Sequence, residues 1–511
     1  MPFRHPFRLS VSAAIMACAI SALTACTTLP PYSRPTVAVP QHYAGTPGWR
    51  LAKPADALPR HAWWSVFGDP VLNQLEGRVD ISNQTVLKAV AQLQQARAMV
   101  DYQRAGFLPT VTAGAEQSRT RTSQDLLYRA AAGKTIPDYA TGIEASWEPD
   151  LFGRIRDAAA NAQASATASA ADLASVRLSA SADLAVDYFQ LRSLDRQKQL
   201  LESTVQADNA ALKLLQGRLR YGATDDLAIA QAQTQLDNAQ VQDTDIDVQR
   251  AQLQHAIAVL IGVPASNFTL PPDESASAAP PAVPVGLPAQ LLERRPDIAA
   301  AERRVAAANA NIGEARAAFY PDLTLAVDAG FESAAFGPWL TAPNLFWSLG
   351  PQLVGTIFDG GKHEASLHGA NASYDASVAD YRQTVLSAFA QVEDGLSSLH
   401  TLADEAQIQA SAADAAQRAL QLADNRYQAG AVDYLEVVST QITALQNQLS
   451  AEQIAARRMV ASVMLIKAVG GGWQAGDIAL PSMQSTTRTA TPTDAAATAE
   501  SMQAGRSKNA E

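Results

Sequence analysis

"RLRYGATDDLAIA" spans residues 218–230, and "RYQAGAVDYLEVV" spans 426–438. The second returns the first at a shift of 208: Arg218 meets Arg426, Gly222-Ala223 meets Gly430-Ala431, Asp225 meets Asp433, and Leu227 meets Leu435. Each reads as a tight turn between two helices. The glycine supplies the left-handed residue that ends one helix. The aspartate three residues on is a good N-cap for the next. Glu436 stands three beyond Asp433, the spacing of a capping box, whereas Ala228 fills that place in the first turn. The two turns share a backbone pattern and differ in chemistry.

The match extends outward without a gap over 153–262 against 361–470, pairing Gly153 with Gly361, Asp172 with Asp380, and Gly262 with Gly470. Upstream the shift becomes 212, and Phe107-x-Pro109 meets Phe319-x-Pro321. A period this long is a duplicated half, since solenoid repeats are far shorter. Proline is absent between Pro149 and Pro264 and between Pro351 and Pro481. Because proline inside a helix costs about 3 kcal/mol, both gaps are open to long helices. Each half predicts the same order. A helix (71–106, then 291–318) leads into two strands, a very long helix follows (153–216, then 361–428), and a return helix closes the half (225–261, then 433–469). At 1.5 Å per residue the long helices reach about 100 Å. No compact domain needs that length, but an extended rod does. Residues 263–290, rich in proline, read as a linker.

The segments between helices alternate. In "LTLAVDAGFE" (323–332), Leu323, Leu325, Val327, Ala329 and Phe331 share one face. "YATGIEASW" (139–147) and "FWSLGPQLVGTIF" (346–358) behave alike, and 109–116 does so more weakly. A half-buried soluble sheet gives the same pattern. A membrane is favoured by strand length and by aromatics at both ends: Phe107, Phe152, Phe319, Tyr320 and Phe358 at one, Tyr139, Phe331, Phe346 and Trp347 towards the other. No mature apolar run approaches 20 residues; Met459 to Val469 is interrupted by Lys467. Strands must then make any crossing. Four strands cannot close a barrel in lipid, where an open edge leaves backbone groups unpaired. Two copies would give eight strands with a filled interior, and three would give twelve with an opening.

Residues 1–25 read as a secretory signal, with Arg4 and Arg8 before an apolar stretch. Leu23-Thr24-Ala25-Cys26 has the form of a lipobox, which makes Cys26 a lipidated N-terminus; a plain secretory site is the alternative. Cys18 leaves with the signal, so an internal disulfide is excluded. Losing Arg4 and Arg8 moves the net charge from −11 to −13. So acidic a chain is a poor nucleic-acid ligand.

The chain resembles TolC-type outer-membrane efflux proteins, in the NodT-like lipoprotein branch associated with resistance–nodulation–division pumps. The resemblance covers residues 26–475 and rests on "LTAC" with "PPYSRP", "WWSVFGDPVLNQL" (63–75), "EPDLFGRIR" (148–156), "LLERRPDIAAAE" (291–302), "AFYPDLTL" (318–325), "RYQAGAVDYLEV" (426–437) and "GGGW" (470–473), in that order. The implied fold is mainly α with a membrane β-barrel portion: a long α-helical barrel, and four strands per chain contributing to a trimeric twelve-stranded barrel. The implied parts are a signal (1–25), a lipid-anchored periplasmic segment (26–70), two repeats (71–262 and 291–470), the linker (263–290), and a C-terminal segment with a disordered tail (471–511). The implied partners are two further copies, a periplasmic adaptor (membrane fusion protein), an inner-membrane pump of the resistance–nodulation–division type, and outer-membrane lipid. The implied place is the outer membrane, reaching into the periplasm. No cofactor, metal or catalytic residue is implied.

By the same resemblance, the turns are the periplasmic tip of an exit duct. Asp225, Asp226, Asp433 and Glu436 are candidates for an acidic gate ring, and Arg218, Gly222, Arg426, Tyr427 and Gly430 for the tip turn and adaptor contact. Like charges drawn together raise one another's pKa and attract cations. The alternative is that Asp225 and Asp433 are spent as helix caps, and Glu436 in a capping box. An enzyme is disfavoured: His363 and His368 lack the spacing of a zinc helix pair, and "GTIFDGGKH" (355–363) has the wrong glycine spacing for a phosphate loop. A coiled-coil envelope lipoprotein without a pore would not need the duplicated strands.

Overall fold

The computed structural model describes residues 31–40, 62–125, 133–273, 280, 281, 283 and 294–473. The signal 1–25, Cys26, much of the linker 263–290 and the tail past 473 lie outside the described residues. The first half holds helices α1 (Pro70–Ser82) and α2 (Gln84–Ala105), strands β1 (Thr110–Arg121) and β2 (Thr135–Trp147), and helices α3 (Arg154–Arg220) and α4 (Asp226–Leu260). The second holds α5 (Pro296–Ala317), β3 (Asp322–Ser333), β4 (Leu345–Val354), α6 (Lys362–Gln428) and α7 (Tyr434–Ala468). Helices α3 and α6 are each 67 residues, about 100 Å. The return helices α4 and α7 are each 35 residues, about half that length. The remainder of α3 packs on α2 and α5, so two shorter helices follow one another along the long one.

The single helix expected over 71–106 is two. Asn83 breaks it with an extended ψ of 120°. Its Oδ1 accepts from the Thr85 and Val86 amides at 2.9 and 3.0 Å, an N-cap. Its Nδ2 donates to the Leu260 carbonyl at 2.8 Å and so closes the end of α4. The same joint recurs in the second half with different chemistry. Arg295, at shift 212 from Asn83, donates from Nη1 to the Ala468 carbonyl at 2.9 Å, and Ala468 is at shift 208 from Leu260. The crossing is close in both halves. A Cβ on Gly262 would sit 2.1 Å from the Ser82 carbonyl oxygen, and one on Gly470 would sit 2.1 Å from that of Arg294. Both glycines also have positive φ, 70° and 96°. Glycine is required twice for one reason: the start of a short helix passes against the end of a return helix.

The main core lies at this level. Trp63, Leu72, Tyr188, Phe189, Ile257, Ile298, Val385, Val463 and Ile466 are among its members, with Phe67 packed against them. The "WWSVF" stretch forms a 3-10 turn, with Phe67 4.9 Å from Phe189 between ring centroids. Asp69 then works twice. Its Oδ1 accepts from the Val71 and Leu72 amides as N-cap of α1, and its Oδ2 accepts from the Tyr188 hydroxyl at 2.6 Å. The extended segment 31–40 is pinned here by Tyr32 on Glu302 and by Arg34 Nε on the Tyr381 hydroxyl at 3.1 Å.

The four strands form one antiparallel sheet in the order β1-β2-β3-β4. β4 stops at Val354, short of the 358 expected. β3 begins at Asp322, whose partner is Val354, so residues 355–358 have nothing to pair with, and Gly355 lies against Pro321. Among the described residues each outer strand, β1 and β4, pairs on one side only.

Glu76, on α1, is 1% exposed, with Ser181 beside its carboxylate. Burial, with the nearby Asp80 charge adding, pushes its pKa up to about 9, with Ser181 beside it partly offsetting. A folded-state pKa above the unfolded value gives stability that is full below the unfolded pKa and is lost as pH rises towards the folded one. Protonating this group at pH 7 corresponds to about 3 kcal/mol. Glu76→Gln should therefore unfold at a higher temperature than the unmodified protein at pH 8, with the gap closing towards pH 4. Thermal unfolding of detergent-solubilised protein across that range measures it. An equal gap at both pH values would contradict a buried neutral acid.

Candidate functional site

The sheet presents two unlike faces. The strand pairing sets Val111, Ala145, Val327 and Leu349 in one row, and Ala113, Ile143, Ala329 and Trp347 in the next. These rows lie on the face read as apolar, and nothing among the described residues covers it: Leu349 is 69% and Trp347 73% exposed. On the opposite face, Thr112, Glu144, Asp328 and Ser348 form a row, with Ser348 Oγ donating to Asp328 Oδ2 at 3.0 Å. Glu116, Ala140 and Glu332 form another, and Gly114, Gly142, Gly330 and Phe346 lie between the two.

Twelve residues of β3 span about 40 Å along the strand, or about 30 Å in height at a membrane strand's usual tilt. That matches a hydrocarbon core. Aromatics mark both ends. Phe152 stacks on Tyr320 at 4.8 Å, and Trp147 Nε1 donates to the Phe107 carbonyl at 3.0 Å. At the other end Tyr139, Phe336 and Trp339 cluster at 5.5 to 6.0 Å. No helix among the described residues is long and apolar enough to cross a membrane.

The far ends of the two hairpins carry the turns. Gly222 and Gly430 take φ of 69° and 71°. The Ala223 amide donates to the Arg218 carbonyl and the Gly222 amide to that of Leu219; Ala431 to Arg426 and Gly430 to Tyr427 repeat the pattern. This is the Schellman motif twice. Asp225 caps α4, its Oδ1 accepting from the Ala228 amide at 3.0 Å.

The second turn departs from expectation. Asp433 makes no side-chain cap bond, and Glu436 forms no capping box. Glu436 Oε1 instead accepts from Arg426 Nη1 at 2.8 Å. The cause lies in the sequence pair: Arg426 ends α6 opposite the first turn of α7, and a charge-assisted bond outcompetes one to a neutral amide. The first turn has Ala228 in place of Glu436, and Arg218 finds another partner. Its guanidinium lies over the Tyr427 ring at 5.2 Å and so joins α3 to α6. Tyr427 in turn meets Tyr434 at 5.5 Å. Neither the arginine–glutamate pair nor this stack was read from the sequence, although the Arg218/Arg426 and Ala228/Glu436 contrast carried the signal. Asp226 and Asp433 remain exposed at the tip without such bonds.

Behind the turns all four long elements share a small core. It holds Leu212 and Leu215 of α3, Ala228, Ala232 and Leu236 of α4, and Tyr434, Val437 and Val438 of α7, with Leu420 and Tyr427 of α6 against them. Burial, with Asp208 and Tyr427 adding, pushes the Tyr434 hydroxyl up to about 12. Among the described residues no group of three His, Cys, Asp or Glu could hold a metal. His363 meets Asp359 and the Phe319 ring.

Residues 78–263 and 287–471 match the family model described as outer membrane efflux protein. The chain is 33% identical over 459 residues to the pyoverdine export outer membrane protein OpmQ of Pseudomonas putida, covering 89% of this chain and 96% of that one. It is 32% identical over 462 residues to the toluene efflux pump outer membrane protein TtgF from another strain of Pseudomonas putida, covering 88% and 95%. Its fold superposes on the solved outer-membrane channel OprN with a TM-score of 0.78 at 29% identity, covering 88% of this chain and all of that one.

Proposed function

The chain belongs to the outer membrane efflux protein family, and from that premise we propose that this outer-membrane channel is the exit duct of a tripartite pump. Three copies close twelve strands into one barrel in the outer membrane. Their helices form a second barrel through the periplasm. An inner-membrane pump of the resistance–nodulation–division type drives transport, and a periplasmic adaptor engages the hairpin tips. One observation carries this reading: helices about 100 Å long join a sheet that, among the described residues, has an uncovered apolar face and two unpaired edges. A lipid-facing sheet cannot leave those edges open. The protein performs no reaction; its chemistry is passage.

Repeats 71–262 and 291–470 build the duct, linked by 263–290. Segment 26–70 carries the lipid on Cys26 after removal of 1–25. Tip opening is a realignment of the hairpins, biased by adaptor contact at Arg218, Gly222, Arg426, Tyr427 and Gly430. Of the tip acids, Asp225 is engaged in capping and Glu436 with Arg426. Asp226 and Asp433 are the free carboxylates, and three copies bring six of them to one ring.

Deleting the gene should make cells hypersensitive to particular exported compounds while their envelope stays intact in detergent. General envelope fragility without that sensitivity would instead favour a structural tether. In planar bilayers, Asp226→Asn with Asp433→Asn should weaken the channel's preference for cations over anions. An unchanged reversal potential in a salt gradient would sink the acidic ring. Cys26→Ser, with a cleavable signal retained, should still give outer-membrane trimers, because the strands hold the protein in the bilayer by themselves. Its complete release into the soluble periplasm would contradict the barrel.

A further inference from the structure

Helices α3 and α7 run antiparallel along the seam between the two hairpins, and polar rungs cross it at three levels. Lys467 Nζ meets Asp183 Oδ1 at 3.5 Å, Arg196 Nε meets Glu452 Oε2 at 2.5 Å, and Gln441 Nε2 meets Asp208 Oδ1 at 2.5 Å. They are spaced roughly 18 to 20 Å apart along α3. The first two are ion pairs. The third, nearest the tip, has no cation: Asp208 is 1% exposed, its Oδ1 accepts from a neutral amide, and its Oδ2 has no partner. It lies about 20 Å above the turn at Tyr221, at the rim of the small tip core.

The surroundings give that carboxylate no compensation. From α7 it faces Gln441 and Tyr434, with Tyr427 of α6 beyond. The Lys198 contacts to Asp243 and Asp247 fix the register of α4 on α3, which sets Gln235, Leu236 and Asp237 level with Asp208. Asp237 is exposed and accepts from Gln233. Glu202 and Lys213 on α3, and Asp414 and Arg418 on α6, are exposed as well. A charge so enclosed is disfavoured against the neutral acid, so burial raises the Asp208 pKa, with the Gln441 bond partly offsetting.

We propose that the Asp208–Gln441 bond is the clasp holding the two hairpins together above a closed tip, and that the closed arrangement, which buries the carboxyl, is favoured when Asp208 carries a proton. The proposal rests on the reading that the tip opens by realigning the hairpins. Opening widens the α3–α7 seam at its tip end and lets water reach the carboxyl. A wet carboxyl ionises at its ordinary pKa, whereas a dry one resists. The closed state is then favoured in acid. It loses that advantage as pH rises from the open-state pKa through the raised closed-state value. Asp208 and Gln441 are positioning residues: they touch no cargo and set the balance between two arrangements.

The test uses full-length trimers in planar bilayers, with conductance recorded from pH 5 to 8. The unmodified channel should conduct severalfold more at the upper end. Asp208→Asn keeps an acceptor for Gln441 and cannot ionise, so it should stay at low conductance throughout. Gln441→Ala removes the donor and should conduct severalfold more even at pH 5. Asp226→Asn with Asp433→Asn should lose ion selectivity and keep the pH response, which separates the clasp from the tip acids. Detergent-resistant trimers of each variant control for folding. A wild-type pH response in Asp208→Asn, no response in the unmodified channel, or wild-type conductance in Gln441→Ala at pH 5 would overturn the clasp with the duct intact. Absence of conductance from every protein would remove the duct itself.

Discussion

An unpaired strand edge in lipid is the constraint on which the rest of this molecule depends. Among the described residues, β1 and β4 each offer a row of amides and carbonyls to nothing within the chain, beside an apolar face left equally uncovered. Water could satisfy those groups; hydrocarbon cannot. The edges must find strands of other copies, and once the sheet closes, its two faces become an outside and an inside. The carboxylates, hydroxyls and glycines of the second face then line a lumen. A helical tube continuing from such a barrel inherits its opening. The length of α3 and α6 becomes intelligible as reach.

Duplication explains how one chain supplies a closed ring with few kinds of joint. The two halves preserve geometry more faithfully than chemistry. Asn83 and Arg295 hold the same carbonyl position by an amide and by a guanidinium. Gly262 and Gly470 are unchanged, because only a missing Cβ allows the crossing. At the tips the turn is repeated bond for bond, while the side chains beside it diverge into an ion pair on one hairpin and a cation over an aromatic ring on the other. Backbone demands are met by few residue types, and side-chain bonds by many.

The same contrast accounts for what could be read in advance. Helix lengths, turn glycines and strand faces follow local rules, namely proline avoidance, positive φ and alternation, and each was legible from a few neighbouring residues. The break at Asn83 was not, because its cause is a carbonyl at residue 260. Nor was the end of β4, which is set by where β3 begins. Glu436 at capping-box spacing from Asp433 gave a sound local reading that lost to Arg426, ten residues back and across the turn. Nothing in the sequence around Glu76 or Asp208 marks either as buried. Both are acids among ordinary helical neighbours, and only packing against other helices removes their water.

Those buried acids bear on where the structure can move. The core around Trp63, Tyr188 and Val463 is large and aromatic, and segment 31–40 packs into it. A charge can be kept neutral there at little risk, since the surrounding burial fixes the geometry many times over. The core behind the tip is built from leucines, valines, two alanines and one tyrosine, and beyond it each hairpin ends in a glycine turn. Regions with little buried apolar area open at low free energy. Along the α3–α7 seam the rungs change in the same direction, from ion pairs to a single bond between an amide and a buried acid. An ion pair depends weakly on pH in the neutral range, whereas a buried acid depends on it directly. Of these rungs, the one able to sense protons thus stands beside the part of the molecule with the least packing to resist a change of state.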